Sequence, residues 1–83
     1  MLEAQLTDAT LVFDGDVLEL FQITPEGSSR YRGRFMPQIT ADGGFLYFTH
    51  PDRSVRPYGY PPEEEAAVRE MIAAVAAVRP AAA

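Results

Sequence analysis

Eighty-three residues make one domain near the lower limit for a self-sufficient core, and a domain of that size buries only ~60–65% of its unfolded surface. The absence of cysteine excludes disulfides, thiolate metal sites and cysteine nucleophiles, while the 47% apolar fraction argues against general disorder. The net charge of −5 makes a poor general polyanion binder, because long-range repulsion opposes encounter with DNA or anionic lipid.

That charge is unevenly spread. Residues 1–27 carry six acids and no bases, and residues 28–56 carry five arginines against Asp42 and Asp52. Residues 57–83 carry four glutamates against Arg69 and Arg79. The centre of the chain can therefore present a local basic patch. Met1 to Gln5 lacks the basic and apolar stretches of a signal peptide. The apolar run Met71–Val78 is too short to cross a bilayer, so the expected location is the cytoplasm and no membrane partner is expected.

Residues 1–8 read as a loose lead-in. Thr10 to Phe13 and Val17 to Ile23 are β-prone runs, and Asp14-Gly15-Asp16 between them predicts a tight hairpin with glycine at the second central position. Thr24 to Ser29, with a turn at Pro25-Glu26-Gly27, is a polar loop. From Arg30 to Phe35 the chain alternates, with Arg30, Arg32 and Arg34 on one face and Tyr31, Gly33 and Phe35 on the other. Pro37 cannot donate to a ladder and marks a bulge or edge before Gln38-Ile39-Thr40. Asp42-Gly43-Gly44 is a turn. Phe45 to Thr49 is a continuous apolar run, expected to be a central strand with both faces covered. Val55 to Tyr60 is a short edge strand interrupted by Pro57.

The periodicity changes after Pro61-Pro62. Pro62 suits a first helical position, and Glu63, Glu64 and Glu65 complement the positive end of the helix dipole. Val68, Met71, Ile72, Val75 and Val78 recur at three- and four-residue steps as one apolar stripe. Glu65 and Arg69 form an i,i+4 pair, Arg79 sits near the negative end, and Pro80 stops the helix before a frayed 80–83 tail. Strands followed by one closing helix at 62–79 predict a single α+β domain of about five strands, in which the helix covers an antiparallel sheet.

These residues resemble a known family. Thr10 to Val17 is similar to the opening hairpin of small bacterial pleckstrin-homology-like (PH-like) domains, and Arg34-Phe35-Met36-Pro37-Gln38-Ile39 is similar to a strand that follows there. A glycine turn into Phe45–Thr49 and a closing helix keep the same order. The resemblance spans roughly residues 10–79. It implies a strongly bent antiparallel sheet or partial barrel of up to seven strands capped by the C-terminal helix. It also implies a binding or scaffolding module, and it carries over no catalytic residue.

Several candidate sites can be weighed. His50 would need a nucleophile and an orienting carboxylate to act as a base; it reads instead as a polar residue ending a strand. Asp14, Asp16 and Glu19 lack the ligand spacing of a calcium loop, so no metal and no cofactor are expected. Tyr58-Gly59-Tyr60-Pro61-Pro62 reads as the connection that delivers the helix onto the sheet. The best binding candidates are Arg30, Arg32 and Arg34, a ladder able to fork onto carboxylates or phosphates, with Tyr47 nearby in sequence. The competing reading pairs those arginines with acids of the first hairpin such as Glu19. The expectation is a non-enzymatic module for protein–protein scaffolding or regulation, able to form a homodimer through open sheet edges. The alternative is a small nucleic-acid-associated protein using the arginine face.

Overall fold

A computed structural model of the chain describes residues 1–22 and 27–78. The expected turn at Pro25-Glu26, the end of the second β-run at Ile23, and Arg79, Pro80 and the tail to Ala83 lie outside those residues. The fold is α+β, with two antiparallel sheets and one C-terminal helix, and the sheets do not close into a barrel. Strands β1 (Leu2–Gln5), β2 (Ala9–Phe13), β3 (Val17–Gln22) and β4 (Ser28–Arg32) form a four-stranded meander. Strands β5 (Gln38–Asp42), β6 (Phe45–Thr49) and β7 (Val55–Gly59) form a three-stranded one. A 3₁₀ turn at Pro62–Glu64 leads into helix α1 (Glu65–Val78), which packs against β1 and β5. No helix among the described residues is long and apolar enough to cross a membrane.

Seven strands replace the expected five for two local reasons. The lead-in is a strand: Leu2 to Gln5 pairs with Phe13 to Thr10, and Ala4 and Leu6 are buried. Its alternation is too short to stand out, and the pairing partner supplies its stability. The run beginning at Arg30 also breaks in two. Gly33 adopts φ +57°, which a Cβ would disfavour, and turns the chain into a 3₁₀ segment, Gly33–Phe35. Met36 and the fully buried Pro37 then carry the chain into the second sheet.

The turns follow their sequence chemistry, with one change. Asp14 and Val17 flank a two-residue loop, so Gly15, at φ +103°, takes the first central position rather than the second. Asp42 and Phe45 flank Gly43-Gly44, both at positive φ, as a type I′ hairpin demands.

Burial alternates along β2, β3 and β6, the strands that carry most of the core. Leu11 and Phe13 on β2, Leu18 and Leu20 on β3, and Leu46 and Phe48 on β6 face inward to meet Val68, Met71 and Val75 of α1. Strand β6 is central in its sheet, but only one face is covered; Phe45 is 48% exposed and Tyr47 half-buried. Its unbroken apolar run reflects a solvated aromatic outer face, not a second covering layer. On α1 the stripe holds through Val75 and then leaves the core, with Val78 44% exposed. The Glu65–Arg69 ion pair forms at 3.2 Å.

Two links seat the helix. The backbone N–H of Gln5 donates to Glu64 at 2.8 Å, and the Tyr60 hydroxyl donates to the Glu65 carboxylate at 3.1 Å. Burial pushes the Tyr60 phenol pKa upward, and its bond to Glu65 adds to the rise.

Truncating the stripe where it is buried should cost far more than where it is exposed. Met71→Ala is expected to lower unfolding free energy by about 2–5 kcal/mol, and Val78→Ala by less than about 0.5 kcal/mol. Urea denaturation of both variants checks the contrast.

Candidate functional site

The two sheets diverge between β4 and β7, leaving an open groove of about 990 Å³ that also borders the β6–β7 turn. Its floor follows from strand alternation. On β4, Tyr31 lies between Arg30 and Arg32 and so turns inward as they turn outward. On β6, Phe48 is fully buried, and His50, two residues on, continues the same face past the strand end. Phe48 meets Tyr31 edge-on at 6.1 Å between centroids and Tyr58 at 5.1 Å. His50 lies 5.3 Å from the Tyr31 ring. Pairs in such geometries contribute about 0.5–1.5 kcal/mol beyond area burial, so the floor is preorganised. Burial raises the Tyr58 phenol pKa, the neighbouring Tyr31 adds to it, and Arg56 opposes it.

The groove wall at residues 50–54 is a tight turn. The N–H of His50 donates to the Ser54 carbonyl, and the N–H of Arg53 donates to the His50 carbonyl, both at 2.8 Å. Asp52 accepts from the Ser54 hydroxyl at 2.6 Å and from its N–H at 2.9 Å. These two bonds, the hydroxyl's first, hold the Asp52 carboxyl below its ordinary pKa. Arg53 sits at φ +72°, the only non-glycine residue described in the left-handed region. That region costs an L-residue about 1–2 kcal/mol.

His50, Asp52 and Ser54 therefore share one wall, yet their bonding is not that of a hydrolytic triad. The Ser54 hydroxyl is spent on Asp52, and the His50 ring packs on Tyr31 and Phe48. Among the described residues, no three histidine, aspartate or glutamate side chains are grouped to hold a metal. In the first hairpin, Asp14 accepts backbone N–H bonds from Val17 and Asp16, which lower its pKa.

The arginine ladder is shorter than its spacing suggests. Arg30 pairs with Glu19 at 3.1 Å and Arg32 with Asp16 at 3.3 Å. Both arginine side chains are over 70% exposed, where such pairs contribute only about 0–1 kcal/mol. Arg34 leaves the strand face at the Gly33 turn, and its guanidinium lies 5.1 Å from the Phe35 ring centroid. Tyr47 is not near them. It faces the outer side of the second sheet, beside Phe45 and opposite Pro57. Of the expected binding residues, only Arg30 borders the groove.

Sequence reasoning passed over Arg56 and the ring role of His50. The even spacing of Leu46, Phe48 and His50 was the available signal for the histidine. For Arg56 the signal was its two-residue spacing from Tyr58, which puts both on one face of β7, and the parting of the sheets opens that face to the groove.

Compared with known proteins, the chain matches no family model, no curated protein and no solved structure.

Two outcomes follow from the 50–54 turn. A carboxyl whose folded pKa is depressed stabilises above its unfolded value and loses that contribution as pH falls through the folded value. Ser54→Ala should raise the Asp52 titration midpoint toward 3.8 and bring acid weakening of the turn to higher pH, read from carboxyl carbon shifts. Arg53→Gly should leave stability unchanged or raise it by up to about 1 kcal/mol, because glycine takes the left-handed position without a Cβ penalty. Thermal melts check the sign.

Proposed function

We propose that this protein is a non-enzymatic binding module, and that its ligand is a segment of another protein held in the groove between β4 and β7. The carrying observation is the groove itself, whose floor of packed rings lies between two strand edges. Concave, mainly apolar sites with a few fixed polar groups, about 300–1,000 Å³ in size, are the usual form of a binding pocket.

Three features favour this reading. Two antiparallel sheets followed by a terminal helix support the PH-like resemblance, and with it a scaffolding or regulatory role in a bacterial cytoplasm. The use of the Ser54 hydroxyl by Asp52 argues against acyl-transfer chemistry. The net charge of −5, with Arg30 and Arg32 each beside an acid of the first hairpin, opposes encounter with a nucleic acid and favours a protein ligand.

Selection from a displayed peptide library, followed by amide-shift mapping of the enriched peptides, tests the proposal. Shifts should cluster on Ser29–Tyr31, His50–Ser54 and Arg56–Tyr58. Tyr58→Ala should weaken binding at least about ten-fold, the equivalent of ~1.4 kcal/mol. Ligands mapping instead to α1 or to the Phe45–Tyr47 face would sink it.

A further inference from the structure

We infer that the groove takes its ligand as an added β-strand: an extended segment of alternating acidic and apolar residues pairs antiparallel with the free edge of β4. The inference rests on the groove being the binding site, and it specifies how the ligand is held.

Antiparallel strands direct alternate residues' backbone groups toward opposite neighbours. The Gln22 N–H donates to the Gly27 carbonyl, which fixes the phase of the β3–β4 ladder. Ser29 and Tyr31 therefore bond to β3, and the N–H and C=O groups of Ser28, Arg30 and Arg32 point outward. Among the described residues, no hydrogen bond uses those outward groups. They form an unbroken three-residue template beside the groove.

The facing edge differs. Bonds from Tyr60 to Gly44 and from His50 to Ser54 fix the phase of β6–β7, so Val55, Pro57 and Gly59 point outward from β7. Pro57 has no N–H, and the Gly59 carbonyl accepts from Thr7 at 2.8 Å. That edge cannot offer a continuous ladder, so β4 is the strand a peptide would extend.

Alternation then sets the ligand's side chains. A residue opposite Arg30 would share its outer face, where an acid could take the guanidinium donors that Glu19 leaves free. Residues between would turn inward onto Tyr31, Tyr58 and His50. The groove margins add Arg56, and the neighbouring turns add Arg34 and Arg53; none of the three has an ion-pair partner among the described residues. A second copy fits less well, since β4 paired antiparallel with itself about Arg30 would set arginine against arginine.

The test uses an end-blocked heptapeptide of alternating glutamate and valine, its N-methylated forms, and the full chain. Binding should slow hydrogen exchange at Ser28, Arg30 and Arg32. Methylating the glutamate amides, which would face β4, should weaken binding roughly hundred-fold, while methylating the valine amides should change it less than about three-fold. Arg30→Pro removes an outward backbone donor together with the guanidinium and should act like the first set; Arg30→Ala, which removes the guanidinium alone, should cost less. Arginine in place of glutamate should weaken binding at least about ten-fold.

Equal effects of both methylated sets, with shifts still in the groove, would overturn strand addition and leave the groove as the site. Shifts on another surface would overturn both. No binding at millimolar peptide would also overturn strand addition, leaving the library mapping to judge the groove. So would a dimer in sedimentation equilibrium whose free state already protects the β4 amides.

Discussion

An antiparallel sheet that does not close leaves unpaired backbone amides and carbonyls along both outer strands, and two such sheets leave four edges to satisfy. Most of this fold's features outside its core answer that constraint. On one side, β1 and β5 both receive α1, and the Gln5 N–H on the β1 edge finds the Glu64 carboxylate at the helix entrance. On the other side, β7 is silenced by a missing donor at Pro57 and a carbonyl given to Thr7. Among the described residues, only β4 keeps a full row of outward groups beside a cavity.

The asymmetry explains why the helix and the groove belong to opposite sides of the molecule. Val68, Met71 and Val75 bury against the sheets where their edges need cover, and they leave no room there for a ligand. The side without a helix is filled instead by rings. Tyr31, Phe48 and Tyr58 are large enough to bridge the diverging sheets from within, but not to pair with their backbones. A gap floored by aromatics and bordered by backbone donors is what remains when one helix must serve two sheets.

The sequence made the local elements legible wherever a single residue type dictates a backbone conformation. Gly43-Gly44 marked its hairpin, Pro57 an edge, and Pro62 with the glutamates the helix start. The first strand escaped notice because four residues have little periodicity of their own; its stability comes from Leu11 and Phe13 across the ladder. The arginine ladder loses its third member for a related reason. Alternation shows which residues share a face only while the strand lasts, and Gly33 ends it one residue before Arg34. The pairing of Arg30 with Glu19 was readable from the acid-rich first hairpin, whereas the groove was not, because no local pattern encodes where two sheets part.

Arg53 shows where the fold yields to another demand. A turn closed by bonds from His50 and Arg53 places one residue in the left-handed region, and the chain uses glycine for that purpose at Gly15, Gly43 and Gly44. Here it keeps an arginine, at an energetic disadvantage, in the turn that walls the groove. The first hairpin's acids each pair with one nitrogen of Arg30 and Arg32, so the positive charge near the groove with no ion pair among the described residues comes from this turn, from β7 and from Arg34. The Arg53 side chain makes no ion pair within the described fold, so this residue holds the turn through its backbone bond to His50 and not through its charge.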